Sequence, residues 1–113
     1  MEQYFTDDEL RCKCCGKLGI DQDFLNLLNR ARERAGIPFV VTSGYRCEKH
    51  NRNVGSSSSN HVFGMAADIK CVESWKRYSM VQAMIFAGMR GIGISKDFVH
   101  CDTNRTTRAM WTY

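Results

Sequence analysis

The stretch GSSSSNHVFGMAADI, residues 55–69, is the part of the sequence that decides the fold. It opens as a polar loop with a run of serines and ends in a short apolar run that predicts a strand over residues 66–71. Successive side chains of a strand point to opposite faces, so Asp68 faces away from its apolar neighbours. His61 and Asp68 stand on either side of Gly64, a residue that permits the turn needed to bring both side chains together.

His61 and Asp68 have a third polar companion in His100, within the downstream run DFVHCD. Imidazole nitrogens and carboxylate oxygens are ordinary zinc ligands, and three protein ligands leave a fourth position open for water. Zinc lowers the pKa of such a water to roughly 7, and Asp97 is placed to accept its proton. The alternative is a structural histidine–aspartate hydrogen bond without a metal.

The hydrophobic pattern predicts a small α+β domain with two main helices and a mixed or antiparallel sheet of about five short strands. The first helix is expected in the run QDFLNLLNRARERAG, with Asp21 as its N-cap and Gly36 as its end. The second helix is expected over residues 73–88. Its predicted core face consists of Trp75, Tyr78, Val81, Met84 and Ile85.

Short β-branched or apolar runs predict the strands. They are expected at residues 38–43 and 66–71, in GIGIS and DFVHCD, and in the final AMWTY, which forms either a last strand or a packing hook. Residues 47–60 are polar and are expected to form a loop. Near the start, Thr6 and Glu9 have the spacing of a capping box around a short turn.

Length and composition predict one domain spanning residues 1–113, with 43% hydrophobic and 25% charged residues. The net charge of +4 is mildly basic and suits an anionic partner, either nucleic acid or an acidic wall polymer. No apolar run is long enough to span a membrane, and the opening MEQYFTDDEL lacks the apolar segment of a secretory signal. We therefore expect synthesis in the cytoplasm.

Six cysteines are expected to be reduced thiols because no export signal is visible. Cys12, Cys14 and Cys15 form a tight cluster. This cluster either binds a second metal together with a cysteine from elsewhere in the chain or is buried as small apolar side chains. Burial is the preferred interpretation because the C-x-C-C spacing differs from the usual C-x₂₋₄-C pair.

Three blocks of the sequence resemble the M15 metallopeptidases: SGYRCEKHN (43–51), SNHVFGMAADI (59–69) and GIGISKDFVHCD (91–102). That group includes zinc D-Ala-D-Ala carboxypeptidases and dipeptidases, and phage endolysins that cut murein peptides. The opening YFTDDELRCKCCG also resembles the start of small phage-type members, so the resemblance spans nearly the whole chain. It implies the fold shared by the DD-peptidases and Hedgehog signalling domains.

The resemblance implies one zinc ion with three protein ligands, which are His61, Asp68 and His100. It also implies that Asp97 is the general base and that Arg46 binds the peptide carbonyl, where negative charge grows during hydrolysis. Ser59, in the S-x-H pair, would bind substrate.

Strand geometry sets a condition on this assignment. In a regular strand Asp97 and His100 point to opposite faces, so we expect a bend or bulge near residues 96–98. Asp102 shares the face of His100 and either orients that ligand or caps a turn. Trp111 either lines the cleft or packs the terminus down, and Arg105 is interpreted as part of a solvated basic tail rather than as a clamp for a substrate carboxylate.

These observations favour a zinc metallopeptidase that acts on peptidoglycan peptides, either as a D-Ala-D-Ala carboxypeptidase or as an L-Ala-D-Glu endopeptidase of the endolysin type. We expect a monomer that reaches the cell wall after release, in a phage or host-lysis context. The alternative is a catalytically silent zinc-containing binding domain of the same fold. A nucleic-acid binder is disfavoured because the basic residues are scattered and no element that reads bases is recognised.

Overall fold

Two long helices and a five-stranded sheet organise the chain. The computed structural model describes residues 3–54 and 60–113. The helices within these residues are α1 (Asp7–Leu10), α2 (Gln22–Ala35), α3 (Glu48–Asn53) and α4 (Ser74–Ala87). The strands are β1 (Val41–Ser43), β2 (Ala66–Lys70), β3 (Gly91–Ile94), β4 (Phe98–Asp102) and β5 (Ala109–Thr112). The prediction of an α+β fold with a mixed sheet and two main helices is confirmed.

The sheet has the strand order β1-β2-β4-β3-β5. All neighbours are antiparallel except β3 and β5, which run parallel. The pairing of β2 with β4 is regular and sets Asp68 opposite His100. The next register pair is Ile69 and Val99. Because side chains alternate along a strand, these two residues point to the other face, where both are fully buried in the core. The two central strands therefore carry a polar group on one face and the hydrophobic core on the other.

Helix α2 forms as the sequence predicts. The Asp21 carboxylate accepts a hydrogen bond from the Phe24 backbone N–H at 2.9 Å and so caps the first turn. Gly36 ends the helix in the left-handed conformation, with φ of 68°. Phe24 and Leu28 are fully buried and pack α2 against α4 and the sheet. The capping box at Thr6 and Glu9 is also present, at the start of α1.

Helix α4 has the predicted span but buries a different face. Its buried residues are Met80, Ala83, Met84 and Ala87. Three residues of the predicted core face, Trp75, Tyr78 and Ile85, are instead 60%, 72% and 53% exposed. Apolar residues occur all around this helix, so periodicity alone does not select the buried side. The stripe with two alanines faces the core, where small side chains allow α2 to approach closely.

Two segments around β1 differ from the prediction. Residues 48–53, expected to form part of a loop, form helix α3, with Cys47 as its N-cap. The helix is polar and lacks the apolar period that would reveal it in the sequence. Strand β1 covers only Val41–Ser43, and its register with β2 is irregular between these two residues.

The described helices do not include one that combines the length and apolarity needed to cross a bilayer.

Gly64 forms the turn that leads from His61 into β2. Its φ is +72°, a left-handed conformation that favours glycine. Its carbonyl accepts a hydrogen bond from the Asp21 backbone N–H at 2.9 Å, which joins this turn to the start of α2. A Cβ atom at this position would collide with the backbone carbonyl oxygen of Gly19. The turn thus requires glycine both for its backbone conformation and for the close approach of a neighbouring segment.

We expect the substitution Gly64→Ala to lower the free energy of unfolding by about 2–5 kcal/mol, since it adds a steric collision to left-handed backbone strain. Gly36→Ala is the matched control, because Gly36 has a similar φ of +68° but no heavy atom within 4 Å of the added Cβ. The control should lose only about 1–2 kcal/mol. Urea unfolding of both variants in the presence of a chelator measures the difference. Equal losses would contradict the role assigned to the contact with Gly19.

Candidate metal centre

Three side chains predicted to bind a metal converge on one point. Single donor atoms of His61, Asp68 and His100 all lie within 4.8 Å of one another, and all three residues are buried. The Asp68 Oδ1 atom lies 2.9 Å from His100 Nδ1 and 3.4 Å from His61 Nε2. Asp68 and His100 meet because they are register partners on β2 and β4, and His61 arrives from the turn before β2. Residues distant in sequence thus form one compact N, N, O donor set.

The surroundings of His61 favour a cation in this set. Its Nδ1 lies 2.8 Å from the carbonyl oxygen of Gly44, which can only accept, so Nδ1 carries a hydrogen. In the neutral imidazole, Nε2 then directs its lone pair toward the Asp68 carboxylate oxygen. Two lone pairs that face each other repel unless a proton or a metal ion lies between them. A divalent ion such as zinc, which accepts these donor types, fits the arrangement.

Asp102 is the hydrogen-bond partner of His100 on the side away from Asp68. Its Oδ2 atom lies 2.7 Å from His100 Nε2, and its side chain is fully buried. Arg105 donates two hydrogen bonds to this carboxylate, at 2.8 and 2.9 Å, and Asn60 donates a third at 3.2 Å. The contacts favour orientation of His100 over the simple turn cap considered from the sequence. They also correct the interpretation of Arg105 as a solvated residue, because the buried carboxylate requires a cationic partner.

The charged groups shift each other's pKa values. Burial raises the pKa of Asp68, but hydrogen bonds with His100 and His61 outweigh burial and lower that pKa strongly. Burial lowers the pKa of His100, but its contacts with Asp102 and Asp68 outweigh burial and raise that pKa. Without a metal, the site therefore favours an imidazolium held between two carboxylates. Metal and proton compete for the same place.

Arg46 lies beside the three clustered side chains. Its guanidinium donates to Asp68 Oδ2 at 3.1 Å, to Ser43 Oγ at 2.8 Å and to Asn51 Oδ1 at 3.2 Å. These bonds fix the guanidinium plane next to the carboxylate oxygen that faces away from His100. The backbone N–H of Arg46 also donates to the carbonyl of His61, at 3.2 Å. The residue is thus tied to two of the three ligands.

Asp97 lies in the turn between β3 and β4. The chain bends at residues 96 and 97, as expected, before β4 continues in regular register from Phe98. Asp97 is exposed in this turn, and its carbonyl accepts a hydrogen bond from the Cys71 N–H at 2.8 Å. In the described part of the chain, its carboxylate is not among the groups clustered within 4.8 Å at the ligand set. Ser59, the other predicted contact of the substrate, lies outside the described residues.

Aromatic rings on and just after β5 lie next to the metal-ligand candidates, and the sequence predicted only part of this arrangement. The Trp111 ring on β5 lies 5.5 Å from the His100 ring, between centroids, and the Arg105 guanidinium lies 4.4 Å from the Trp111 ring. Tyr113 stacks at 5.2 Å from Phe98, at the start of β4. Trp111 thus lies beside a metal-ligand candidate, and its role in lining a cleft stays a prediction. The sequence does not reveal the parallel pairing of β5 with β3, which places these rings.

A second group of donors lies apart from this centre and consists of Cys12, Cys15 and Cys47. The described cysteines are free thiols, as predicted. The preferred interpretation of the N-terminal cluster as buried apolar residues is wrong for Cys14 and Cys15, which are exposed. Burial raises the pKa of Cys12, but N–H groups that donate to its sulfur outweigh burial and hold that pKa at about 6.

Comparison with protein families gives a match to the family described as Peptidase M15, over residues 3–102. The match includes the three clustered ligand candidates, Arg46 and Asp97, and it ends at Asp102. No curated protein matches the chain.

We expect Asp102→Asn to weaken zinc binding about 10–100-fold. The neutral amide lacks the negative charge with which the Asp102 carboxylate holds the N–H group at His100 Nε2. His100→Ala should remove far more affinity, since it deletes a ligand. Asp23→Asn, an exposed aspartate on α2, is the control and should bind zinc as the unmodified protein does. Competition with a chromophoric chelator measures all three affinities. An unchanged affinity in Asp102→Asn would contradict the role of this carboxylate in orienting the ligand.

Proposed function

Because the chain belongs to the peptidase M15 family, we propose that it is a zinc-dependent metallopeptidase that hydrolyses peptide bonds of peptidoglycan. The observation that carries this proposal is the convergence of His61, Asp68 and His100 on one point inside a family-matched peptidase domain. The bond cut is proposed to be D-Ala-D-Ala, at a peptide end, or L-Ala-D-Glu, within the stem peptide.

The proposed ligands of the single zinc ion are His61 through Nε2, His100 through Nδ1 and Asp68 through its carboxylate. When bound, zinc supplies Lewis-acid chemistry, which acidifies water and polarises a peptide carbonyl. The remaining hydrogen-bonding atoms of these side chains support this assignment, because Gly44 engages the other nitrogen of His61 and Asp102 engages that of His100. Each imidazole thus has one nitrogen held by the protein and one directed at the shared point.

Asp97 is the proposed general base. It accepts a proton from the attacking water and returns it to the leaving amine. Its place in the β3–β4 turn, three residues before His100, supports this role, because the turn leads directly into the strand that carries the ligand. Exposure of the residue leaves its carboxylate accessible to water and substrate.

Arg46 is proposed to bind the peptide carbonyl oxygen as negative charge develops there. Among residues 3–54 and 60–113, its hydrogen bonds to Ser43, Asn51 and Asp68 use three of the five N–H groups of a guanidinium. These anchors keep the cation from swinging away, so its position is set before substrate arrives. Ser59 is proposed as a further substrate contact.

Mass spectrometry of a muropeptide digest, with and without chelator, tests the proposed function. Loss of a single terminal alanine would identify a carboxypeptidase, whereas separation of the stem between L-Ala and D-Glu would identify an endopeptidase. His61→Ala, which removes a ligand, is the control and should give no cleavage. If no chelator-sensitive product forms with any muropeptide, the proposal is wrong and a silent binding domain of the same fold becomes the better assignment.

We expect Asp97→Asn to keep its zinc but to lose turnover by more than about a hundredfold, which is the usual size of an acid–base contribution. Asp23→Asn, also an exposed aspartate, should keep both zinc and turnover. Metal analysis together with initial rates on the identified muropeptide separates loss of metal from loss of chemistry. Full activity in Asp97→Asn would remove this residue from the mechanism.

A further inference from the structure

Three cysteines from two distant segments, Cys12, Cys15 and Cys47, meet beside the start of α3, and a fourth, Cys14, lies in the same loop. Cys12, Cys14 and Cys15 lie in the loop after α1, and Cys47 is the N-cap of α3. We propose that these four residues form a second metal site, a structural zinc centre with thiolate ligands. It is separate from the histidine–aspartate centre and independent of the proposed catalytic function.

Sulfur geometry is the first support for this site. The Sγ atoms of Cys12, Cys15 and Cys47 all lie within 4.8 Å of one another. Zinc–sulfur bonds of about 2.3 Å in a tetrahedron place the sulfurs about 3.8 Å apart, so only small movements close the site. All of these cysteines are free thiols, so the sulfurs are available as ligands.

Backbone N–H groups surround the sulfurs, as they do in a site built for thiolates. The Cys47 N–H donates to the Cys12 sulfur at 3.3 Å, and the His50 N–H donates to the Cys47 sulfur at 3.4 Å. N–H donation to sulfur spreads the negative charge that thiolates bring to zinc.

The loop of residues 12–17, which carries three of the cysteines, is a tight turn. The Cys12 N–H donates to the Lys17 carbonyl at 2.9 Å, and the Gly16 N–H donates to the Cys12 carbonyl at 2.9 Å. Gly16 has a φ of +75°, so this position favours glycine. The backbone thus folds back on itself around the sulfurs and is fixed before any metal binds.

Cys14 is the fourth ligand that we assign. Its thiol is exposed and lies in the same tight loop, directly before Cys15. Lysines at positions 13, 17 and 49 flank the cluster in sequence and offset the negative charge of a zinc ion with four thiolates.

The site would join the N-terminal segment to the residues that place Arg46. Cys47 directly follows Arg46, and the preceding Tyr45 N–H donates to the Leu10 carbonyl at 3.0 Å. A metal held by Cys12 and Cys47 therefore closes a long loop of the chain next to Arg46. Its role is structural, and none of its ligands belongs to the histidine–aspartate set.

Cobalt substitution tests this site with a signal that the histidine–aspartate centre does not give. In the full chain carrying His61→Ala and kept reduced, we expect one Co²⁺ per chain with a strong thiolate-to-cobalt charge-transfer band, which one equivalent of Zn²⁺ removes. Adding Cys12→Ser and Cys47→Ser should abolish the band, whereas Cys71→Ser, at a buried cysteine elsewhere in the core, should keep it. Absence of the band in the parent, or its survival without Cys12 and Cys47, would overturn the proposal.

Alkylation of the unmodified protein gives a second measurement that does not depend on the folding of variants. With zinc present, Cys14 and Cys15 should resist iodoacetamide despite their exposure, and chelation should make both react at least about tenfold faster. Equal rates with and without chelator, or a disulfide among these cysteines in the zinc-loaded protein, would overturn the proposal. Both measurements stand whether or not the chain cuts muropeptides, so the two proposals fail separately.

Discussion

The pairing of β2 with β4 buries carboxylates at the centre of a small domain, and the polar architecture follows from that constraint. Asp68 is 8% exposed and Asp102 is fully buried. An unpaired carboxylate in such a place is very unfavourable, so each must be matched by cations and hydrogen-bond donors. His100 lies between the two, while Arg46 and Arg105 approach from opposite ends of the row. The metal-binding group is thus one part of a longer chain of alternating charges.

This chain of charges also explains why the surrounding loops are held so closely. The turn at Gly64 is tied to the start of α2, and the Arg46 backbone is tied to His61. The first tie fixes the turn that precedes β2, and the second joins Arg46 to the segment that carries His61. A small shift of any of these segments would separate charges in a buried place, where solvent screens them poorly. The loops must therefore be held in place for the buried charges to stay paired.

Much of the fold and the ligand set could be predicted from the sequence because both depend on local signals. The cap at Asp21, the glycine at position 36 and the alternation around Asp68 each leave a mark in neighbouring residues. The proposed ligands were assigned from motif blocks that resemble a known family, because spacing alone left a structural histidine–aspartate pair equally open. Asp102 was left between two roles because its partners, Arg105 and Asn60, are identified only by the folded backbone.

The failures have equally physical causes. Helix α4 carries apolar residues on every side, so its buried face is chosen by the partner helix rather than by its own pattern. Helix α3 is polar throughout, and its N-cap is a cysteine, an uncommon capping residue. The cysteine cluster was misjudged because Cys47 lies far in sequence from Cys12 and Cys15. Only the folded backbone shows that these three sulfurs lie close together.

Strand β5 lies beyond residue 102, where the family match ends, yet its Trp111 ring lies beside that of His100, one of the proposed ligands. The parallel pairing of β5 with β3 leads the chain to Tyr113, whose ring lies 5.2 Å from the Phe98 ring between centroids. Fluorescence of the Trp111 indole would therefore respond to events at His100, because the two rings lie 5.5 Å apart between centroids.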